Sequence, residues 1–462
     1  MEELQKKQPH AIIISYPLQG HVIPTVHLAM KLASKGFTIT FVNVESTHHK
    51  ICKAQPHAAA GDDLFAGARE SGLDIRYVTV SDGLPLEFDR SINLNEVLEA
   101  YLHLFPAMVD ELVGKIVRTA DPALNCLIAD TFYAWQSTIA NKYKLVHVSF
   151  WTEPALVFTL YYYLEFLRSN GHFASSQGNR KDAIDYIPGV ESIQPTDLMS
   201  YLQDTDTSTT FHQIIFKAFD GVKRADFILC NTVHELESET ILALNQKQPT
   251  FAIGPIFPSG FTKSIVPTSL WSKSDCTQWL STKPTGSVLY VSFGSLVNVS
   301  KETIMELAHG LWLSGVSFIW VLRQDIVSSV ETFSLPVGFE EGVKDKGLIV
   351  TWCSQIDVIS HPSIGVLTHC GWNSVLESVW CTVPLLCFPL HTDQFTNRKL
   401  VVDYWRIGIN LCDEKSITRR EVAEKINRLM NEKSADELRN EIKKVKRILG
   451  NALISSSWIL KS

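Results

Sequence analysis

Polar side chains that can bind a charged ligand concentrate between residues 352 and 394. The centre of this segment is the run THCGWNS, which follows the apolar residues Ile364–Leu367 and leads into a helical pattern. A helix N-terminus presents free N–H groups and the positive end of the helix dipole, so this turn can bind a phosphate group. His369, Asn373 and Ser374 can add further donors. A helix capped by Asn373 or Ser374 after a tight glycine turn is the purely structural alternative.

Two flanking groups of side chains favour the phosphate-binding interpretation. Upstream, Trp352 ends a predicted strand, where its indole can stack on a flat base. Glu377 lies one helical turn beyond Asn373, so its carboxylate can reach ribose hydroxyls. Downstream, Asp393 and Gln394 follow a predicted strand and offer acceptors and donors for sugar hydroxyls. The segment as a whole therefore predicts a site for a nucleotide sugar.

A second pair of chemically capable residues lies in the first half of the sequence. His21 follows Gly20 in the turn after the first predicted strand, and Asp130 ends a later predicted strand. Since both turns fall at the carboxyl edge of a parallel sheet, the carboxylate can orient the imidazole, which can then remove a proton from a hydroxyl group. Taken singly, His21 is compatible with a packed loop histidine, and Asp130 with a residue that ends a strand.

The hydrophobic pattern predicts the elements that must position these residues. Short apolar runs alternate with helical repeats in both halves, which predicts an α/β protein with two doubly wound, Rossmann-like domains facing a cleft. Prolines and glycines crowd residues 251–275 and indicate a linker. The predicted domains cover residues 1–250 and 276–440, and a helix or tail over residues 441–462 is expected to pack back on the N-terminal domain. The predicted strands are Ala11–Tyr16, Phe37–Val44, Asn125–Ala129, Phe227–Asn231, Val288–Phe293, Phe318–Leu322, Leu348–Thr351, Ile364–Thr368 and Leu385–Phe388.

Composition narrows the possible partners. The net charge of −7 argues against nucleic acid or an anionic membrane as the main partner. The nine cysteines are scattered without zinc spacing, and no signal peptide or long uncharged apolar stretch is present. The sequence therefore predicts a reduced, cytoplasmic protein with no integral membrane segment, and we expect a monomer.

The segment from Trp352 to Gln394 resembles the signature box of plant secondary-product UDP-glycosyltransferases, inverting enzymes of the GT-B fold. The resemblance extends from Gly20-His21 to the C-terminal helix. It implies that His21 is the general base and that Asp130 supports it. The implied donor-binding residues are Trp352, Gln355 and Glu377 for uridine, with Cys353 beside them; His369, Trp372 through its backbone, Asn373, Ser374 and Ser295 for the diphosphate; and Asp393, Gln394 and Thr152 for the sugar.

The resemblance also implies an activity. A glucosyl group, favoured by the terminal Gln394, would move from UDP-glucose to a hydroxyl of a lipophilic flavonoid, phenolic or terpenoid, with inversion. No metal or separate cofactor is implied, because the helix end and His369 would neutralise the leaving UDP. Asp204-Thr205-Asp206 spells the metal-binding DxD of the other major glycosyltransferase fold, but it lies in a polar stretch that predicts a solvated loop. A UDP-sugar epimerase and a weakly active or non-catalytic binder of UDP or small molecules remain the alternatives.

The box departs from the family pattern at two positions. Between Gly365 and Thr368 it is one residue shorter than usual, and we expect the turn around Gly365 to absorb the loss, because a shift within a strand would exchange its faces. Thr382 stands where a glycine before Val-Pro is usual. If this position requires a positive φ, the threonine is strained.

Overall fold

Two parallel sheets organise the chain, one in each of two units. In this computed structural model, residues 1–192 and 204–271 form the first unit, and residues 193–203 and 272–462 form the second. The predicted α/β class with two doubly wound sheets is confirmed. The structure describes residues 8–55, 63–257, 265–327, 334–412 and 416–459.

The first unit contains a seven-stranded sheet. Its strands are β1 (His10–Ile14), β2 (Thr38–Val44), β3 (Ile75–Val80), β4 (Cys126–Asp130), β5 (Val146–Trp151), β6 (Phe227–Cys230) and β7 (Thr250–Ala252). The helices in this part of the sequence are α1 (Gln19–Ala33), α2 (Glu45–Ala54), α3 (Ala66–Glu70), α4 (Leu94–His103), α5 (Phe105–Thr119), α6 (Gln136–Tyr143), α7 (Ala155–Tyr162), α8 (Leu164–Ser169), α9 (Ser200–Gln203, part of the second unit), α10 (Thr210–Val222) and α11 (Ser238–Asn245). The strand order is β3-β2-β1-β4-β5-β6-β7, and every pairing is parallel. β1 and β2 are buried throughout, because helices cover both faces of the sheet.

The second unit contains a six-stranded parallel sheet. Its strands are β8 (Val288–Ser292), β9 (Ser317–Val321), β10 (Gly347–Val350), β11 (Ile364–Thr368), β12 (Leu385–Cys387) and β13 (Gly408–Asn410). Its helices are α12 (Thr277–Ser281), α13 (Lys301–Ser314), α14 (Phe339–Val343), α15 (Gln355–Ile359), α16 (Trp372–Cys381), α17 (Gln394–Lys399), α18 (Arg419–Met430) and α19 (Glu432–Ile459). The order is β10-β9-β8-β11-β12-β13. Apolar side chains from the sheet, α13 and α18 form its core, with Trp320 and Phe339 among the largest fully buried ones.

Strand order explains how residues far apart in the sequence are brought together. In the first unit β1, β4 and β5 are neighbours, so the turns that follow them lie at one edge of the sheet. In the second unit β8, β11 and β12 are neighbours in the same way. Ligands of doubly wound sheets bind at this carboxyl edge. Each unit therefore gathers its candidate residues at one sheet edge.

Residues 193–203 lie inside the predicted N-terminal domain range, yet they pack as part of the second unit. Asp197 forms ion pairs with Arg398 and Lys399 of α17, and Ser200 hydrogen-bonds the backbone of Thr392. At the other end of the chain, α19 packs on α16 and α18. The return of residues 441–462 to the N-terminal domain stays a prediction.

The sequence suggested that a turn around Gly365 accommodates the missing residue of the box, but the structure does not place Gly365 in a turn. Gly365 lies inside β11, and residues 364–368 pair with β8 in one unbroken register. The expectation of a turn at Gly365 was therefore wrong; a Cβ at this position would lie 2.8 Å from Met430 Sδ of α18. Thr382 ends α16 in the left-handed conformation, with φ of 61°. The strain expected for a threonine there is thus present.

Candidate functional site

The first candidate site consists of His21, Asp130 and Thr152 and is called the histidine site below. His21 lies in the first turn of α1 rather than in a loop, while Asp130 ends β4 and Thr152 follows β5. His21 Nδ1 lies 2.7 Å from Asp130 Oδ2 and 3.1 Å from Thr152 Oγ1. Asp130 is itself fixed, because its other oxygen accepts the N–H of Phe132 at 3.0 Å. The structure thus brings His21 together with two residues that lie more than a hundred positions further along the sequence.

The contacts of His21 determine which ring nitrogen can take up a proton. A carboxylate only accepts hydrogen bonds, so Nδ1 carries the ring proton toward Asp130 and Nε2 has the free lone pair. Tyr16 and Phe132 pack around the imidazole at centroid distances of 5.6 and 5.7 Å. The arrangement is suited to general-base catalysis at Nε2 beside an apolar surface.

Sequence reasoning missed Glu153, whose Oε1 lies 3.9 Å from His21 Nε2. The side chain follows Thr152 directly and is 14% exposed. Its position beside a predicted site residue was the only available signal, because β5 was not predicted and its end could not be located.

The second candidate site lies at the N-terminus of α16. The helix begins at Trp372 with Gly371 as its N-cap, so Asn373 and Ser374 lie in the first turn and are not caps. Gly371 has no side chain with which to cap the helix. A helix N-terminus of this kind can bind an anionic ligand through the N–H groups of its first turn, and the alternative of a helix capped by Asn373 or Ser374 was wrong.

His369 sits between the turns that follow β8 and β11. A Cβ on Gly294 or on Gly371 would lie 2.5 Å from His369 Nε2, so only glycine fits at both positions. Burial lowers the pKa of His369 to about 4, which leaves the imidazole neutral near pH 7. The positive potential at this site therefore comes from the helix end and from the buried Arg323, which donates to the Gly294 carbonyl, while His369 can act through hydrogen bonding rather than as a fixed charge. Ser295 is half-buried in the turn after β8.

Gln355, Ser374 and Glu377 form a hydrogen-bonded network beside this helix end. Gln355 Nε2 donates to Ser374 Oγ at 3.0 Å and to Glu377 Oε2 at 2.6 Å. Burial raises the pKa of Glu377 to about 7, and the Gln355 bond opposes that shift. The site around His369, Gln355, Ser374 and Glu377 is called the helix-end site below. Near pH 7 its histidine is therefore neutral and its glutamate is only partly ionised.

The two tryptophans of the box occupy different environments. Trp352 lies two residues beyond β10 and is half-buried, and its carbonyl accepts the N–H of Ser274 at 2.9 Å. Cys353, next to it, is buried. Trp372 is buried and packs on Trp405 at a centroid distance of 5.8 Å, which leaves its backbone rather than its indole at the helix end. Of the two tryptophans, Trp352 is the one that is partly exposed, as stacking on a base requires.

Asp393 is the N-cap of α17 and Gln394 is its first residue, and several hydrogen bonds fix both side chains. Gln394 Oε1 accepts the N–H groups of Leu390 and His391, both at 2.9 Å. The amide of Asn397 donates to Asp393 and to the carbonyl of Cys370 at the helix-end site. The Gln394 amide nitrogen and the Asp393 carboxylate are the groups that can meet sugar hydroxyls.

The loop that carries Asp393 is braced by a segment that sequence reasoning did not identify. Ser200 and Thr392 exchange two hydrogen bonds, from Thr392 N–H to Ser200 Oγ and from Ser200 N–H to the Thr392 carbonyl. The Tyr201 hydroxyl lies 3.0 Å from His391 Nε2. No sequence pattern links α9 to residues nearly two hundred positions away, so only the structure reveals this brace.

Two further expectations from the sequence concern the DxD motif and membrane-spanning segments. Asp204-Thr205-Asp206 lies in the loop between α9 and α10, where Asp206 accepts the N–H of Ser208 at 2.9 Å. Within the described ranges, no helix combines the length and apolarity needed to cross a membrane.

Comparisons with known proteins relate the whole chain to one family. The family described as "UDP-glucoronosyl and UDP-glucosyl transferase" matches residues 273–447. UDP-glycosyltransferase 86A1 of Arabidopsis thaliana is 60% identical over 459 residues, which cover 98% of this chain and 92% of that protein. The 7-deoxyloganetin glucosyltransferase of Catharanthus roseus is 32% identical over 94% of this chain and 91% of its own. The crystal structure of Medicago truncatula UGT71G1 complexed with UDP-glucose matches with a TM-score of 0.80 at 23% identity, over 99% of both chains.

Proposed function

Since the chain belongs to the plant UDP-glycosyltransferases and has their GT-B fold, we propose that it transfers glucose from UDP-glucose to a hydroxyl of a lipophilic small molecule with inversion. That it is a glycosyltransferase follows from the family; the donor sugar and the acceptor class are the proposal. The observation that carries it is the 2.7 Å hydrogen bond between His21 Nδ1 and Asp130, which leaves Nε2 free to act as a base. A relative named as a glucosyltransferase at 32% identity supports glucose as the sugar.

The histidine site supplies the proton transfer in this proposal. Nε2 of His21 removes the proton of the acceptor hydroxyl, while Asp130 holds the ring and stabilises the imidazolium that forms. The acceptor oxygen attacks the anomeric carbon from the side opposite the diphosphate. The bond to the diphosphate oxygen breaks with its electron pair, UDP leaves, and the configuration at the anomeric carbon inverts. His21 then releases the proton to solvent.

The helix-end site binds the donor in this proposal. The first-turn N–H groups of α16, together with Ser374 and His369, hold the diphosphate, and no metal is needed. Gln355 and Glu377 hold the ribose, and Trp352 stacks on the uracil. Asp393 and Gln394 bind the sugar hydroxyls, and Thr152 also contacts the sugar. Ser295 contributes a further donor from the turn after β8.

We also propose that the protein acts in the cytoplasm as a monomer. All nine cysteines are free thiols in the structure, which supports a reducing compartment.

The proposal is tested by measuring UDP release from UDP-glucose, UDP-galactose and UDP-glucuronate with a panel of flavonoid, phenolic and terpenoid alcohols. We expect UDP release that depends on an added acceptor, is fastest with UDP-glucose, and gives a β-linked product by NMR. Epimerised donor without acceptor would instead identify an epimerase. Tight UDP binding without turnover on any acceptor would identify a binding protein.

A further inference from the structure

Glu153 places a second carboxylate beside the reacting nitrogen of His21. Its Oε1 lies 3.9 Å from Nε2, whereas Asp130 occupies the opposite nitrogen at 2.7 Å. Both the imidazole and the Glu153 side chain are largely shielded from solvent, with exposures of 10% and 14%. His21 is already oriented through Nδ1, so orientation of the ring does not account for a carboxylate at Nε2.

Support of the neighbouring helix does not account for Glu153 either. α7 begins at Ala155, two residues further on, and its N-terminus is satisfied by Glu237. The two carboxylate oxygens of Glu237 accept the N–H groups of Ala155 and Leu156 at 3.0 and 2.8 Å. A carboxylate at the start of α7 is thus present without Glu153, whose Oε1 is directed to the proton-accepting side of His21 instead.

The distance between the two groups indicates what fits between them. A separation of 3.9 Å is too long for a direct hydrogen bond, and both Nε2 and a carboxylate oxygen are acceptors when His21 is ready to act. One acceptor hydroxyl carries a single hydrogen and can serve only one of them. Two adjacent hydroxyls on one molecule can serve both, one donating to Nε2 and the other to Oε1. An ionised carboxylate has about four acceptor positions, so Glu153 can do this beside its other contacts.

We propose that Glu153 is a specificity-determining residue that selects acceptors with two adjacent hydroxyls, such as a catechol or a vicinal diol. This rests on the proposed function, in which His21 Nε2 deprotonates the acceptor. The hydroxyl at Nε2 is the one glucosylated, and its neighbour donates to Glu153. An acceptor that reacts through a carboxylate is disfavoured, because its negative charge would lie beside both Glu153 and Asp130.

The test compares three acceptors on one skeleton: 6,7-dihydroxycoumarin, 5,7-dihydroxycoumarin and 7-hydroxycoumarin. The second hydroxyl is adjacent in the first, distant in the second and absent in the third. We expect wild-type kcat/KM for the adjacent diol to exceed that of the other two by about 10- to 100-fold, the range for a hydrogen bond to a charged group. In Glu153→Gln and Glu153→Ala the adjacent diol should lose about tenfold more than the other two. Equivalent trios on phenyl, flavone and cyclohexane skeletons extend the test beyond coumarins.

Glu165→Gln is the matched control, because Glu165 is an exposed residue of α8 that pairs with Arg168. It should leave the ratio between acceptors unchanged. UDP-glucose binding and thermal melting of each variant show whether it is folded. Equal wild-type efficiency on all members of a trio, or a preference that survives in both Glu153 variants, overturns the role of Glu153 while the transferase function stands. UDP-glucose binding without transfer to any acceptor overturns the proposed function itself.

Discussion

The two candidate sites use opposite electrostatic designs. At the histidine site, a buried carboxylate lies 2.7 Å from the imidazole, and a second carboxylate lies on its far side. At the helix-end site burial lowers the pKa of His369 to about 4, which keeps the imidazole neutral, and raises that of Glu377 to about 7, so that its carboxyl group is only partly ionised near pH 7. Negative charge stabilises an imidazolium that forms during a reaction, whereas a ligand that brings its own charges needs N–H donors and little competing charge. The first site is therefore suited to moving a proton and the second to holding an anion.

The largest effect should come from His21→Ala, which tests this division most directly. We expect kcat to fall by about 10³-fold, because the general base is lost, while the affinity for UDP-glucose changes less than twofold. Single-turnover kinetics and calorimetry measure the two quantities. His49→Ala, on the exposed side of α2, is the control and should leave both unchanged. Wild-type turnover of an alcohol by His21→Ala would remove the distinction between the two sites.

Gly371→Ala should weaken donor binding at the helix-end site, whereas His21→Ala removes the general base. The backbone at Gly371, with φ of −61° and ψ of 136°, is open to alanine, so the effect comes from collision with His369 rather than from backbone strain. The added Cβ would lie 2.5 Å from the buried Nε2 and must displace the ring. We expect UDP-glucose affinity to weaken by about 10- to 100-fold, as for the loss of hydrogen bonds to a charged ligand.

The matched control for this substitution is Gly450→Ala in α19, where an added Cβ meets nothing within 4 Å. Its UDP-glucose affinity should equal that of the wild type. If Gly371→Ala also binds UDP-glucose normally, the packing of His369 against the helix end is irrelevant to the donor.

The difference between the sites also explains what the sequence could predict. The helix-end residues fall within one short segment, and the strand Ile364–Thr368 that precedes them was predicted with the bounds of β11. A continuous apolar run marks a strand buried on both faces, and a glycine turn marks its end. Those local signals were sufficient to place His369 directly after this strand and Ser374 and Glu377 on the helix that follows, while their roles in binding stay predictions.

The residues that escaped prediction depend on elements with weak local signals. β5 was missed because His147 and Ser149 interrupt its apolar pattern; both are buried and hydrogen-bonded, to Gln136 and Thr131. Glu153 was missed with it, since the end of β5 defines its place. The brace from Ser200 to Thr392 arises from tertiary packing alone. The turn at Gly365 was mispredicted because the family pattern suggested an insertion point that the unbroken register of β11 excludes.

A third and smaller effect is a dependence of UDP-glucose binding on pH, which tests whether Glu377 of the helix-end site binds the donor in its ionised form. Burial raises the pKa of Glu377 to about 7, and ribose hydroxyls donate to the ionised form. Binding of UDP-glucose should therefore require loss of the Glu377 proton. Since the pKa lies above the ordinary value for glutamate, affinity should be constant above pH 7 and should fall by up to about tenfold per pH unit below it.

Calorimetric titrations with UDP-glucose between pH 5.5 and 8 measure this dependence, because the diphosphate diester of this donor does not titrate in that range. Glu377→Gln should bind more weakly at pH 8 and show a flat profile. A profile in Glu377→Gln with the same slope as the wild type would assign the titration to another group and would weaken the contrast between the two sites.

The smallest effect concerns protein stability and arises at the C-terminal end of α16, the helix whose N-terminus forms the helix-end site. Thr382 ends α16 with φ of 61°, and Lys144 ends α6 of the first unit with φ of 54°. A β-branched side chain is the more strained of the two in this conformation, and glycine is unstrained there. Thr382→Gly should stabilise the second unit by about 1 kcal/mol, a net value from which the greater freedom of glycine in the unfolded chain has been subtracted. The melting midpoint of that unit should therefore rise by about 2 °C. Lys144→Gly should raise the midpoint of the first unit by less. Calorimetry resolves the two, and a loss of stability in Thr382→Gly would show that the 3.3 Å hydrogen bond from Lys446 to the threonine hydroxyl outweighs the backbone strain.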